Sequence, residues 1–345
     1  MTYAIRRLQL TKLYPLAISR GVSSGSENLF LTLTDGPHWG IGECAPATGD
    51  EGAAARAEAQ LSAFLDAGIE GQAIYDIWQR AHESGMDAPA LAALDTALWD
   101  LEARRLGVPL YRMLGLPRRT VATSITIGIN PPEVVRERVP DLLRRTGTQY
   151  LKIKLGNPAG IDADKESFLA SKEAAAPFRA GLRVDANGGW GLDEALEMLP
   201  WLAKHGVDYV EQPLPQGQEE ELPVLYRSRP LPIFVDESCR LAADVPKVAP
   251  WVDGVNLKLM KTGGVTEALR LVATARAHGL STMIGCMSEG SVGIAAGAHI
   301  AALFDHVDLD SHLNLNPDPA EGLLNEGGQI LPTEAPGLGV RLRDA

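Results

Sequence analysis

The sequence has few cysteines, no cluster of basic residues and no long apolar run. Its three cysteines, Cys44, Cys239 and Cys286, have no CxxC spacing, which argues against a disulfide framework and fits a reducing compartment. Acidic residues outnumber basic ones by 44 to 32, and the net charge of -12 repels phosphate backbones and anionic membrane surfaces. We therefore expect neither nucleic acid nor a membrane as a partner.

Neither a signal peptide nor a membrane span is predicted. The first residues, MTYAIRRLQL, lack an apolar core, and the most apolar long stretch, SVGIAAGAHIAALF, is too short to cross a bilayer. We therefore expect a cytoplasmic protein. The length of 345 residues fits a barrel of about 200 to 250 residues together with a smaller domain.

Residues 1–118 predict an α+β capping domain. Two strand-like runs in LFLTLTDGPHWGIGECAP surround a turn signal at Asp35-Gly36. The segments AAARAEAQLSAFLDAG and APALAALDTALWDLEARRLG then place apolar residues at helical spacing. The last segment, residues 321–345, is rich in glycine and proline, and we expect it to return to this domain as loops and edge strands.

Residues 119–320 predict repeated βα units. The strand candidates are VATSITI, YLKIK, LRVD, DYVE, IFVD, GVNLK, STMIG and VDLD. From Lys154 to Asp310, successive strand ends lie 22 to 31 residues apart, with helical stretches between them. Eight such units in a row favour a closed parallel barrel, and an open doubly wound sheet is the alternative.

Charged residues end nearly every strand candidate. In a parallel barrel these ends surround the active site, and buried charges there require partners or a ligand. The alternative is that the charges only solvate the barrel rim. The residues are Lys152, Lys154, Asp185, Glu211, Asp236, Lys258, Asp308 and Asp310.

Three of these carboxylates predict a metal site. Asp185, Glu211 and Asp236 end three successive strands and should converge on one point. Carboxylates without His or Cys suit Mg²⁺, with positions left for water and substrate. Structural salt bridges to lysines are the alternative reading.

The lysines predict proton transfer. Lys152 and Lys154 lie two residues apart on one strand and therefore share a face, while Lys258 ends a strand across the barrel. A metal flanked by lysines is suited to removing a proton next to a carboxylate. We expect the cation-rich surroundings to lower the lysine pKa values towards neutrality.

The motifs LKIK, VDANGGW, VEQPL, VDES and NLKLMKTGG, together with GIGECAP near the start, resemble the enolase superfamily, specifically its muconate lactonizing enzyme subgroup. This resemblance implies an α/β fold, a modified TIM barrel of (β/α)7β form with the N-terminal α+β capping domain, one Mg²⁺ per subunit and a homo-oligomer. It implies that Lys154 and Lys258 are the acid/base pair, that Lys152 contacts the substrate carboxylate, and that Asp185, Glu211 and Asp236 bind Mg²⁺.

The residues of the last strand distinguish between the reactions of this subgroup. Asp308 and Asp310 in DLDSHLNL share one face and suit a substrate ammonium group, and this D-x-D resembles that of dipeptide epimerases. A rim salt bridge is the alternative. Arg20 in LAISRGVSSG resembles an arginine that pairs with a glutamate side chain of the substrate in Ala-Glu epimerases, although an exposed arginine without that role is equally compatible with the sequence.

Three further residues are candidates for the pocket wall. Cys286 and Ser288 lie in IGCMSEGSVG, which resembles the seventh-strand loop of the family, and Thr126 ends the first barrel strand. Met260 departs from the aspartate that is usual in Ala-Glu enzymes, which leaves the dipeptide open.

The sequence therefore predicts a Mg²⁺-dependent dipeptide epimerase that transfers a proton at the α-carbon of the C-terminal residue, with an L-Ala-D/L-Glu substrate as the first expectation. Alternatives in the same subgroup are an epimerase for other dipeptides, an N-acylamino acid racemase, a cycloisomerase and an o-succinylbenzoate synthase. A metal-dependent dehydratase and a non-catalytic binding barrel are alternatives of other classes.

Overall fold

The computed structural model describes residues 1–47, 49–50 and 52–343. It begins with an antiparallel sheet of three strands, β1 (Thr2–Ile18), β2 (Gly21–Asp35) and β3 (His38–Cys44), in that order. The β2–β3 hairpin pairs Asp35 with His38, which confirms the predicted turn. Gly36 has a φ of 57° there, a conformation that glycine adopts without steric cost.

Four helices follow this sheet. They are α1 (Ala53–Asp66), α2 (Ile74–Glu83), α3 (Ala88–Arg105) and α4 (Leu110–Met113), and two of them, α1 and α3, pack on the sheet. Helix α3 lies so close to β3 that a Cβ at Gly42 would come within 2.0 Å of the Ala93 carbonyl oxygen. The sequence predicts α1 and α3 but not α2, whose buried residues are only Ile77, Trp78 and Ala81.

Eight parallel strands form the barrel, and they are hydrogen-bonded in chain order. The strands are β4 (Ser124–Ile127), β5 (Tyr150–Lys154), β6 (Gly181–Asp185), β7 (Val207–Glu211), β8 (Ile233–Val235), β9 (Gly254–Lys258), β10 (Ser281–Gly285) and β11 (His306–Asp308). The connecting helices are α5 (Pro132–Thr146), α6 (Ile161–Ala175), α7 (Leu192–Lys204), α8 (Leu222–Ser228), α9 (Val245–Val248), α10 (Leu259–Thr262), α11 (Val265–Ala277) and α12 (Ser291–Ile300).

The first and last strands meet, so the sheet is closed. Thr123 bridges Val307 in parallel, and the Thr123 hydroxyl accepts a hydrogen bond of 2.8 Å from the Leu309 backbone N–H. The predicted closed barrel is therefore confirmed, and the open sheet is excluded. None of the helices in the described ranges is long and apolar enough to cross a membrane.

The strand β5 places its side chains on two faces as its period of two predicts. Leu151 and Ile153 are fully buried in the apolar core, which on this side of the strand includes residues of the surrounding helices. Lys152 and Lys154 point to the barrel interior, and both are buried as well. The lysine-bearing face therefore belongs to the inside of the barrel.

The chain after the barrel returns to the N-terminal domain. It forms the short strands β12 (Ala320–Glu321), β13 (Leu324–Glu326), β14 (Gln329–Leu331) and β15 (Arg341–Leu342). The Leu338 backbone N–H donates to Asp100 Oδ1 of helix α3 at 2.6 Å. The expected contact of the C-terminal segment with this domain is present, whereas the boundaries at residues 118 and 320 stay predictions.

His299 connects three parts of the chain. It lies on α12, its Nδ1 accepts from the Tyr111 backbone N–H at 3.0 Å, and its Nε2 lies 3.1 Å from the Leu338 carbonyl oxygen. Because Nδ1 accepts, the proton of the neutral ring is on Nε2. Burial lowers the pKa of His299 to about 4, so the folded protein holds this ring neutral.

We predict that His299 makes the free energy of unfolding depend on pH. Between about pH 4 and 6.5 the unfolded chain binds more protons at this histidine than the folded chain, so its stabilising contribution is complete above 6.5 and declines towards pH 4. Urea unfolding at a series of pH values should give a steeper loss for the wild type than for His299→Gln. Parallel profiles for the two proteins would contradict this.

Candidate active site

The predicted site residues surround one cavity of about 870 Å³ between the N-terminal domain and the C-terminal ends of the barrel strands. The candidates that line it are Arg20, Thr126, Lys152, Lys154, Asp236, Lys258, Cys286, Ser288, Asp308 and Asp310. Asp185 and Glu211 lie beneath its floor and are fully buried. The structure thus places the predicted residues in or directly beside one cavity.

On one side of the cavity, two lysines from β5 hold the carboxylates of neighbouring strands. Lys154 Nζ donates to Asp185 Oδ2 at 2.5 Å. Lys152 Nζ lies 2.6 Å from Glu211 Oε2, 2.6 Å from Asp308 Oδ2 and 3.3 Å from Asp185 Oδ2. Lys152 therefore connects carboxylates on both sides of its own strand, a role that the sequence analysis did not predict.

On the opposite side, Lys258 Nζ donates to Asp236 Oδ2 at 2.9 Å. Lys261 Nζ also donates to Asp236, to its second carboxylate oxygen and to its carbonyl oxygen. Strands β5 and β9 are four positions apart in the eight-stranded ring. Lys154 and Lys258 therefore approach the cavity from opposite walls.

The carboxylates determine the protonation of Lys258 and Lys152. Burial disfavours the charged form of Lys258, but Asp236 and Glu211 outweigh burial and raise its pKa. Burial opposes ionisation of Asp236, yet Lys258 and Lys261 hold its pKa far below the usual value. The expectation that cationic surroundings lower the lysine pKa values is thus wrong for Lys258, and equally for Lys152, whose pKa is also raised, because the carboxylates dominate.

Glu211 differs from the other two predicted metal ligands. Burial and the charge of Asp185 raise its pKa to about 7. Its Oε2 accepts no hydrogen bond of regular geometry, although Lys152 Nζ is 2.6 Å away. This oxygen therefore faces the ammonium group of Lys152 without a well-directed hydrogen bond.

No three His, Cys, Asp or Glu side chains in the part of the chain that the structure describes are gathered closely enough to hold a metal ion. Ammonium groups instead lie between the carboxylates. The donors are nonetheless oxygens only, as Mg²⁺ requires, and Glu211 Oε2 is held only by its ion pair with Lys152. We therefore propose that Asp185, Glu211 and Asp236 hold Mg²⁺, which would supply positive charge next to the substrate carboxylate.

Three further residues bind the predicted metal ligands. Asn187 donates to the Asp185 carboxylate from its backbone at 2.8 Å, and Asn256 Nδ2 donates to Glu211 Oε1 at 2.6 Å. Gln212 Oε1 accepts from the Asp236 backbone N–H at 2.7 Å and so holds the main chain at this ligand. None of the three is predicted from the sequence. Asn256 could have been found, because it lies two residues before Lys258 on the same strand and therefore on the same face.

The other end of the cavity carries Asp308 and Asp310. Asp310 Oδ2 accepts from the Thr126 backbone N–H at 2.7 Å, and Cys286 Sγ lies 3.7 Å from its Oδ1. Burial and the charge of Asp308 raise the pKa of Asp310 to about 6. Asp308 Oδ1 is buried without a hydrogen-bond partner among the described residues, so this pair can accept an ammonium group.

The wall next to this pair belongs to the loop after β10. Ser288 lines the cavity, and its carbonyl oxygen accepts from Asn28 Nδ2 of strand β2 at 2.8 Å. Ser288 therefore lies in the pocket wall, as predicted. Its carbonyl oxygen is hydrogen-bonded to the N-terminal domain.

Arg20 reaches the cavity from the turn between β1 and β2. Its Nη2 lies 2.7 Å from Glu237 Oε1, and its Nη1 donates to the Asn187 carbonyl oxygen at 2.9 Å. The side chain remains half-exposed. The structure thus places Arg20 at the cavity, but with its guanidinium already bound to a carboxylate of the barrel.

The fold agrees with comparisons of the chain to known proteins. Residues 1–115 match the mandelate racemase/muconate lactonizing enzyme N-terminal domain, and residues 134–345 match the enolase C-terminal domain-like family. The chain belongs to the mandelate racemase/muconate lactonizing enzyme family of the enolase superfamily. The family resemblance of its motifs is confirmed.

Its relatives include two proteins named hydrophobic dipeptide epimerase. The one from Roseobacter litoralis is 60% identical over 96% of this chain and 96% of its own length. The one from Flavobacteria bacterium strain MS024-2A is 52% identical over 100% of this chain and 99% of its own. A dipeptide epimerase of Enterococcus faecalis, solved with Mg and L-Leu-L-Tyr, superposes with a TM-score of 0.89 at 32% identity, covering 98% of both chains.

We predict that Glu211→Gln weakens Mg²⁺ binding by about tenfold or more, as expected when a carboxylate near a metal is lost. Isothermal titration of Mg²⁺ into the wild type and the variant measures this without a substrate. Glu43→Gln is the matched control, because Glu43 is a fully buried carboxylate of β3. Equal affinity of wild type and Glu211→Gln would refute the assignment of this ligand.

Proposed function

We propose that this dipeptide epimerase, an isomerase, moves a proton at the α-carbon of the C-terminal residue of dipeptides whose C-terminal side chain is apolar. The observation that carries the reaction is the placement of Lys154 and Lys258 on strands four apart in a closed ring of eight. One Nζ takes the α-proton from one face of the carbon, and the other Nζ returns a proton to the opposite face.

Substrate orientation follows from the charges at the two ends of the cavity. Asp308 and Asp310 would hold the free amino end, since Asp308 Oδ1 has no partner among the described residues. Lys152 would contact the substrate carboxylate, and Thr126, Cys286 and the Ser288 loop would form the wall at the amino end. One Mg²⁺ per subunit and a homo-oligomeric assembly stay predictions.

The preference for an apolar C-terminal residue rests on apolar side chains in the cavity wall. Leu16 and Ile18 of β1 line the cavity, as do Met260 and Met287, and flexible thioethers adapt to apolar side chains of different shape. Arg20, the cation that would receive a substrate glutamate, is bound to Glu237. Two full-length relatives named hydrophobic dipeptide epimerase support the same preference.

An L-Ala-D/L-Glu substrate, the first expectation from the sequence, is the second candidate. The observation that favours it is the half-exposed Arg20 side chain at the cavity. Racemisation of N-acylamino acids, cycloisomerisation and o-succinylbenzoate synthesis fit less well, because their substrates lack the ammonium group that two buried carboxylates at the amino end require.

We predict that L-Ala-L-Leu incubated with the enzyme and Mg²⁺ in D₂O takes up deuterium at the leucine α-carbon and becomes L-Ala-D-Leu. Mass spectrometry and chiral chromatography follow both changes. Lys154→Ala should slow epimerisation by about 10²-fold or more, since a positioned acid or base contributes that much. Lys165→Ala on α6 is the control. If no dipeptide exchanges while an N-acylamino acid does, the proposal is wrong.

We further predict that Glu237→Gln frees Arg20 for an acidic substrate. The ratio of kcat/KM for L-Ala-L-Glu to that for L-Ala-L-Leu should rise by about tenfold, the value of one hydrogen-bonded charge pair. The double variant Arg20→Met/Glu237→Gln should lose this gain. A ratio that stays at the wild-type value in Glu237→Gln would count against a role of Arg20 in side-chain selection.

A further inference from the structure

Lys12 of strand β1 is a buried lysine that lines the active-site cavity and has no acidic partner. Its exposed fraction is 8%, and its Nζ donates to Ser23 Oγ at 2.9 Å. Ser23 Oγ in turn donates to the Gly25 carbonyl oxygen at 2.8 Å. Within the described ranges no carboxylate lies at ion-pair distance from this ammonium group.

This lack of an acidic partner distinguishes Lys12 from the other lysines that line the cavity and from Arg20. Lys154 and Lys258 bind buried aspartates, and Arg20 binds Glu237. Burial lowers the pKa of Lys12 only to about 8, so the side chain is mostly charged at neutral pH. A buried charge without a counter-ion is unfavourable, and a ligand carboxylate would relieve this cost.

The position of Lys12 places it over the amino end of the proposed substrate site. Lys12 forms a β-bridge with Leu315, and the Asn316 backbone N–H donates to the Thr11 carbonyl oxygen at 2.9 Å. These residues directly follow the turn after Asp310. The thiol of Cys286 is the titratable group that faces Lys12, and this thiol also contacts Asp310.

Arg20 lies on the other side of the cavity. It comes from the same strand and turn, but it contacts residues that follow β6 and β8. The surroundings of Lys12 and of Arg20 would therefore contact different parts of a bound dipeptide. Lys12 lies near the amino end, and Arg20 lies near the strands that carry the proposed metal ligands.

We propose that Lys12 is a specificity-determining residue for the N-terminal residue of the substrate, favouring a side chain that bears a carboxylate over one that bears an ammonium group. The inference rests on the proposed function, because Asp308 and Asp310 must hold the substrate amino group for its neighbouring side chain to reach Lys12. It concerns the N-terminal side chain alone and leaves the apolar preference at the C-terminal residue in place.

The test compares L-Glu-L-Leu, L-Ala-L-Leu and L-Lys-L-Leu in the deuterium-exchange assay. In the wild type, kcat/KM for L-Glu-L-Leu should exceed that for L-Lys-L-Leu by about tenfold or more, as for a hydrogen bond to a charged group. Lys12→Met, which keeps the length of the side chain without its charge, should bring this ratio close to one. Lys12→Arg should retain the preference.

Two controls separate selection from a structural role of Lys12. Ser23→Ala removes the hydroxyl that Lys12 binds but leaves the charge, so the preference should persist. Arg240→Met removes another cation of the cavity wall that follows β8, and the ratio of the two N-terminal side chains should stay at its wild-type value. Each ratio is measured within one variant, so a partial loss of folded protein cancels.

The outcomes are distinct for the two proposals. If the wild type exchanges none of the three dipeptides, the proposed function is wrong. If L-Ala-L-Leu exchanges but the wild type prefers L-Lys-L-Leu, or Lys12→Met leaves the ratio unchanged, the role of Lys12 alone is refuted.

Discussion

The site depends on a buried layer of opposite charges that no single strand could hold by itself. Lys154, Asp185 and Glu211 are direct neighbours in the registers of β5, β6 and β7. Lys258 and Asp308 both pair with Gly285 in the registers of β9, β10 and β11. Because each buried charge is costly without its partner, these ion pairs favour one register and a closed ring over any arrangement that separates the strands.

The sequence predicts the members of this layer but not their pairing. A period of two and the position at a strand end identify Lys152 and Asp308, since both signals depend on a few neighbouring residues. The contact of Lys152 Nζ with Asp308 Oδ2 joins residues that are 156 positions apart in the sequence. It depends on closure of the barrel. The expectation that the lysine pKa values are lowered is wrong for the same reason. Local sequence does not reveal how many carboxylates surround each ammonium group.

The N-terminal domain and the barrel both contribute to the proposed site. The lysines proposed to transfer the proton and their carboxylates lie on barrel strands, whereas Lys12 and Arg20, which are proposed to select the substrate, come from β1 and the turn after it. Glu43 of β3 joins the two, since it accepts hydrogen bonds of 2.8 Å from the Gly290 and Gly293 backbone N–H groups. Rigid strands fix the reacting groups, and the N-terminal domain can vary its side chains without disturbing them.

A dipeptide would bring both of the charges that the proposed site can bind. Its ammonium group would bind Asp308 through Oδ1, which has no partner among the described residues. Lys152 lies at Oδ2 of the same carboxylate and would share its charge with the substrate carboxylate. An N-acylated substrate would draw Lys152 towards its carboxylate without supplying an ammonium group, so Asp308 and Asp310 would have less positive charge beside them. The proposed preference for a free amino end has this physical reason.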